Sequence, residues 1–329
     1  MGRDLLRGKI LIKLFKTRCF EKLPPINEVK MKRDPKPASF ICALLLFFLF
    51  SPAWGQESRP NFDVSHSVDW TRREVFSQVS FDLARSGIRL PTGRFMAEEM
   101  LREAYPRLIR TFLLSIRLDS SSTVGDMLNR GEITLAELDA VSLAARQIPP
   151  SLSPDFTRMN GRYTVFVEQL STLFIRHRRA SEPARPFIPV PTANYTGIII
   201  IADTELPIQG RMTPAMLEPG LFPRIWDTEM NLIYDRNMFD PVIGRERLMV
   251  SYAVSESIFR PTPSGLDGEL AVLLGPNPLR IIANGGFGIN PTDPIIDRQD
   301  ALRILSSENN RRLLREGRVL FVLSEEMLK

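Results

Sequence analysis

Gly197-Ile198-Ile199-Ile200-Ile201-Ala202 is apolar without interruption. A short β-branched run of this kind reads as a strand buried on both faces. Val319 to Leu323 repeats the pattern near the C-terminus. Between them, Phe222 to Trp226, Leu232 to Tyr234, Leu248 to Ala253 and Leu279 to Ala283 are shorter strand candidates. Asp297 to Ser306 has the look of a helix capped by Asp297, and Leu313, Leu314 and Gly317 predict a further helical turn closed by glycine. Strands and helices mix here without strict alternation. The expected class is therefore α+β, with mixed sheets, packed helices and two subdomains.

Upstream, Val75, Val79, Phe81 and Leu83 alternate with Gln78, Ser80 and Asp82, which predicts a half-buried strand. Ala97, Met100, Leu101, Ala104, Leu108, Ile109, Phe112 and Ile116 recur at helical spacing over Gly93 to Ile116. Pro106 inside that stretch predicts a kink or a division. A Ser-rich turn is expected at Asp119 to Thr123, followed by Thr134-Leu135-Ala136-Glu137, a capping box that opens a second helix reaching about Arg146. Pro149 and Pro150 end it, and Tyr163, Val165 and Val167 predict another strand. Arg176 to Pro191 holds four prolines and five basic residues counting His177, which marks a linker. The predicted organisation is an upstream extension over 1–30, a signal peptide over 31–55 and a flexible leader over 56–68. An N-terminal α+β domain over 69–175, a linker over 176–193 and a C-terminal α+β domain over 194–329 follow.

Met31 to Gly55 reads as a secretory signal peptide. Lys32, Arg33 and Lys36 precede an apolar run from Ala38 to Phe50, and Ala53-Trp54-Gly55 offers small residues to a signal peptidase, so that Gln56 becomes the first mature residue. The run is too short for a membrane anchor. The leader also explains the composition. The chain has 43 Lys and Arg against 38 Asp and Glu, and its first 55 residues hold 11 of the basic and 4 of the acidic ones. The remainder carries 32 against 34, so it is not basic, and nucleic-acid binding loses its support. Both cysteines, Cys19 and Cys42, lie in the leader, leaving no thiol for catalysis, disulfide or metal. The expected location is the periplasm, with no stable transmembrane span in the mature chain.

No catalytic constellation emerges, and no catalytic residue, cofactor or metal is expected. His66 and His177 have no evident Ser, Asp or metal partner nearby in sequence. Gly285-Gly286-Phe287-Gly288 lacks the lysine of a phosphate cradle and reads as a tight turn. Asp227, Glu229, Asp235 and Asp240 are the densest carboxylates of the second half, but their spacing fits no EF-hand, and they read as turn residues. Tyr195, Phe222, Trp226 and Tyr234 are the candidate partner contacts, Trp226 as an anchor of the kind interfaces favour, with core packing as the alternative.

From Tyr195-Thr196-Gly197-Ile198-Ile199-Ile200 followed by Ala202-Asp203, the chain resembles a group of bacterial envelope proteins. The group includes small surface lipoproteins and the flagellar H-ring protein FlgT, and the likeness is nearest to spirochaete-type envelope members. Pro223-Arg224-Ile225-Trp226-Asp227 with Leu232-Ile233-Tyr234, Asp300-Ala301-Leu302-Arg303-Ile304 and Arg318-Val319-Leu320-Phe321-Val322 are similar to elements of that group. So are Leu118-Asp119-Ser120-Ser121-Ser122-Thr123-Val124 and Gly161-Arg162-Tyr163-Thr164-Val165. Asp203-Thr204-Glu205-Leu206 departs from the usual Asp-Ala-Arg-Gly, and no lipobox precedes the mature chain. The resemblance implies a non-enzymatic structural or assembly role among other envelope proteins, with flagellar motor components as candidate partners. A periplasmic binding module for a small molecule or cell-wall fragment is the alternative.

Overall fold

The computed structural model describes residues 61–259 and 268–329. The leader, with Ala53, Gly55 and Gln56 of the peptidase site, lies outside the described residues. In chain order, the first part comprises β1 (Phe62–Asp69), β2 (Glu74–Asp82), α1 (Arg94–Ser115), β3 (Arg117–Asp119), β4 (Ser122–Thr123), α2 (Val124–Asn129), α3 (Leu135–Leu143), β5 (Arg146–Leu152), β6 (Arg158–Phe166) and α4 (Val167–Thr172). Four strands form an antiparallel sheet in the order β1-β2-β6-β5. Val75, Val79 and Phe81 of β2 and Met159, Tyr163 and Val165 of β6 turn inward onto α1, whose Ala97, Leu101, Tyr105, Ile109 and Leu113 are buried. Gly161 permits the approach, because a Cβ there would stand 2.6 Å from the Leu101 side chain. Tyr105 and Tyr163 stack at 3.8 Å in the same layer.

Three expectations change here. Of the stretch expected as a flexible leader over 56–68, residues 56–60 lie outside the described residues and 62–68 belong to β1, an edge strand paired along its length with β2. Phe62, Val64 and Val68 alternate there with Asp63, Ser65, Ser67 and Asp69, the pattern of a strand, and Phe62 stacks on Phe81 at 4.6 Å. Pro149 and Pro150 do not simply end a helix. They lie in β5, at the opposite edge of the sheet, where the register shifts between Ile148 and Ser151 and a missing N–H is tolerated. Helix α1 runs through Pro106 undivided, with Pro106 itself buried. Leu101, Tyr105 and Ile109 are buried around it, and that packing offsets the lost hydrogen bond.

The second part comprises β7 (Ile198–Ala202), β8 (Ile208–Gln209), β9 (Ile225–Asp227), β10 (Leu232–Tyr234), β11 (Ser251–Val254), α5 (Ser255–Phe259), α6 (Gly268–Leu274), β12 (Leu279–Ile282), β13 (Gly285–Phe287), β14 (Asp293–Ile296), α7 (Arg298–Ser306), α8 (Glu308–Arg315), β15 (Val319–Leu323) and α9 (Glu325–Leu328). A parallel sheet runs β11-β15-β7-β12 and a mixed sheet runs β10-β9-β14-β13-β8. The isoleucine run is central in the parallel sheet, as its composition requires. Ile199, Leu320 and Val322 pack with Leu273 and Leu274 of α6 on one face. Ile198, Ile200, Val319 and Phe321 join the main core, with Ile304, Leu313 and Leu314 of α7 and α8, on the other. Asp297 caps α7 by accepting from Gln299 N, and Gly317, at φ +63°, follows α8. The fold is α+β with mixed sheets and packed helices, and it contains one wholly parallel sheet among them.

No helix or strand lies between Thr172 and Ile198, yet the segment is tied down. His177 Nε2 bonds the Phe239 carbonyl at 2.7 Å, Ser181 N donates to the Asn237 carbonyl at 2.7 Å and Val190 N donates to Ser306 Oγ at 2.9 Å. Among the described residues no helix is long and apolar enough to cross a membrane.

Candidate functional site

The β3–β4 hairpin joins the two halves of the chain. Asp119 accepts from Ser121 N, Ser121 Oγ and Ser122 Oγ, which shapes the turn predicted there. Thr123 and Asp126 then form a capping box that starts α2. The hairpin presents Ser120, completely buried, to the second half of the chain. Ser120 Oγ donates to Asp293 Oδ2 at 2.7 Å across 173 positions of sequence. Thr292 Oγ1 and Arg224 N donate to Oδ1 at 2.8 and 3.0 Å, and Trp226 Nε1 reaches Oδ2 at 3.4 Å. Burial pushes the Asp293 carboxyl up, and these four donors oppose the shift without cancelling it. A buried carboxylate with this many partners is a specific lock, because each partner would be costly to strand.

Backbone and ionic contacts extend the lock. Leu221 N and Phe222 N donate to the carbonyls of Arg117 and Leu118, and Asn290 N to that of Ser120. Arg224 pairs with Asp119 at 2.9 Å, and Arg117 pairs with Glu218. Tyr252 OH donates to the Gly220 carbonyl at 2.7 Å and accepts from Gly220 N at 3.0 Å. Gly288, at φ +109°, lies so close to Ser120 that a Cβ would stand 2.2 Å from the Ser120 Cβ. The Gly285 to Gly288 cluster, expected as a tight turn, thus includes strand β13, paired with β14 and β8. Its glycines admit Ser120 at Gly288 and Ile208 and Leu217 at Gly286.

The four candidate contact residues separate. Phe222 and Tyr234 are core side chains, and Tyr234 is fully buried. Neither can meet a partner without unfolding, which corrects the expectation for both. Tyr195 is half-buried against the core, its backbone held by Asn309 and Asn310. Trp226 is half-buried, tilted against Phe287 at 5.5 Å, and belongs to the Asp293 cluster. The four carboxylates of the second half are turn residues. Asp227 accepts from Glu229 N, Asn231 N and Asn231 Nδ2, Glu229 pairs with Arg298, Asp235 accepts from Asn237 N and Asp240 from Val242 N. Among the described residues no group of three or more His, Cys, Asp or Glu could hold a metal ion.

A cleft of about 790 Å³ opens between the β1–β2 turn, edge strand β11, helix α6 and the C-terminal helix α9. Arg72, Arg73, Glu246, Arg247, Glu269 and Lys329 give it both signs of charge. Asp69 builds the turn by accepting from Thr71 N, Thr71 Oγ1 and Arg72 N. Desolvation acts to raise its carboxyl, but these bonds outweigh it and hold Asp69 below the usual range. Arg73, in the left-handed region at φ +60°, reaches Glu168 at 3.0 Å and Glu269 at 2.7 Å. Burial pushes the Glu168 carboxyl up, against the pull of Arg73. Sequence reasoning missed both Asp293 and this cleft. Their residues come from distant segments, and no local pattern links them.

The fold and its lock define a protein of two α+β domains closed onto a common core. Residues 61–173 match the N-terminal domain of Treponema pallidum Tp0624, and residues 197–325 match the second domain of the same protein. Together the two matches take in most of the chain, which belongs to the spirochaete-type family defined by these domains. No curated protein matches it.

Proposed function

We propose that the chain is exported to the periplasm and serves there as a non-enzymatic structural or assembly protein of the envelope, working by association with other envelope proteins. The observation that carries this reading is the seam at Asp293. Domains that open and close around substrates meet through modest polar interfaces. Here one apolar core runs from Trp70 to Leu328, and a buried carboxylate pins the hairpin of one domain to the sheet of the other. Surfaces held in a fixed relation suit a scaffold. The Met31 to Gly55 leader supports export, and the resemblance to the FlgT-containing group supports a flagellum-associated role as the sharper form.

The cleft beside β11 favours a second reading, a binding module for a small molecule or cell-wall fragment, since its volume falls in the range of ligand sites. Cross-linking in cells followed by identification of the neighbours tests the first reading. Envelope proteins as the neighbours are the expected result, with motor components among them for the flagellar form. Recovery of cytosolic proteins alone would overturn the reading. Retention of all cross-links in a protein carrying Arg247→Glu, together with loss of binding to isolated cell-wall fragments, would favour the second.

A further inference from the structure

We propose that the tip at Pro241 and Val242 is a docking surface for the headgroups of an anionic lipid bilayer. Two depressions, about 450 and 430 Å³, both border Pro241, Val242 and Arg178. Arg176, His177 and Arg245 line the first; Arg179, Arg312 and Arg315 line the second, together with Asp240 and Glu316. Some of this charge is spent within the fold. Arg176 pairs with Glu137 at 2.9 Å, Arg312 with Glu316 at 3.4 Å and Arg315 with Glu182 at 2.9 Å. Among the described residues no carboxylate lies within ion-pair reach of Arg178, Arg179 or Arg245, and the Asp240 carboxylate is turned to Val242 N at 2.8 Å. Three arginines therefore have no ion-pair partner, and set against the charge Asp240 keeps they leave a local surplus of two, on a chain whose residues after 55 are not basic.

Val242 stands among them with 71 % of its surface exposed, on a support that is rigid. Gly244 N donates to the Asp240 carbonyl at 2.9 Å, and Gly244 packs so closely that a Cβ would stand 2.4 Å from Ile175 and 2.9 Å from Phe239. His177 fixes the linker to the Phe239 carbonyl. An apolar tip ringed by guanidinium groups matches a bilayer surface, where the forks bind lipid phosphates and the side chain enters the acyl boundary. A nucleic acid would engage the arginines but gain nothing from the valine. The inference stands on this geometry and does not rest on the export reading.

Co-sedimentation of the protein purified from cells tests it, with vesicles of phosphatidylcholine alone or containing phosphatidylglycerol. Binding only to the anionic vesicles is expected, unaffected by millimolar inorganic phosphate. Each arginine near an anionic surface is worth about fivefold, so R178E/R179E/R245E should weaken binding by at least about 50-fold. V242D should weaken it severalfold. A control of equal charge change, R89E/R107E/R130E, alters arginines exposed elsewhere and should keep most of the binding; circular dichroism checks that every variant is folded. No binding by the native protein, or equal loss in both triple variants, would overturn the proposal. So would undiminished binding by V242D with full displacement by a duplex oligonucleotide, which marks a soluble polyanion as the ligand.

Discussion

Asp293 shows how one buried residue can carry two effects of opposite sign. Its four donors favour the ionised form, yet burial wins and raises the carboxyl above its ordinary value. The folded state then holds a proton that the unfolded state releases at lower pH. Its contribution is fully present below the ordinary aspartate value and declines as pH rises through the raised one. Asp293→Asn places an amide against Trp226 Nε1 or Arg224 N, leaving at least one donor unpaired, and should cost about 1–3 kcal/mol. Because the native contribution declines with rising pH, that cost should be largest in acid and smaller at neutral pH. Urea titrations of the two proteins at several pH values measure both the size and the sign. A difference that grows with pH would refute the assignment.

At the scale of elements, helices α2 and α3 each begin with a reciprocal cap, Thr123 with Asp126 and Thr134 with Glu137. Thr123→Ala and Thr134→Ala should each lower stability by about 1 kcal/mol, and the two should add, since they serve separate helices. Equilibrium denaturation of the single and double variants checks this. The second cap was legible because Thr134 and Glu137 precede a plain apolar helix. The first was hidden inside a Ser-rich run that also makes a hairpin. The isoleucine strand, Val319 to Leu323 and the Asp297 cap were legible for the same reason, since local periodicity or capping specifies each of them. Strand β1 was marked too, by the alternation of Phe62, Val64 and Val68 with polar residues, and reading it as a flexible leader gave its Ser and Asp content too much weight. Strand β13 was not legible, because its glycines, which weaken an isolated strand, are needed to admit Ile208 and Leu217 at Gly286. The parallel sheet was masked by β8, β9, β10, β13 and β14, which interrupt the alternation of its strands and helices. The Asp293 cluster joins segments too far apart in sequence for any motif to announce.

At the scale of the molecule, export and rigidity make separate predictions. If the Met31 to Gly55 leader directs secretion, N-terminal sequencing of the protein from cells should begin at Gln56; a start at Met1 or Met31 would contradict export. Rigidity follows from the shared core and from the seam, whose contacts span the two halves through Ser120–Asp293, Asp119–Arg224 and Arg117–Glu218. Two domains so joined should lose their structure together, because neither can open without exposing Asp293 and the apolar side chains beneath it. Differential scanning calorimetry of the protein from cells is the most direct test. A single transition whose calorimetric and van't Hoff enthalpies agree is the predicted result, and two resolved transitions would contradict the account.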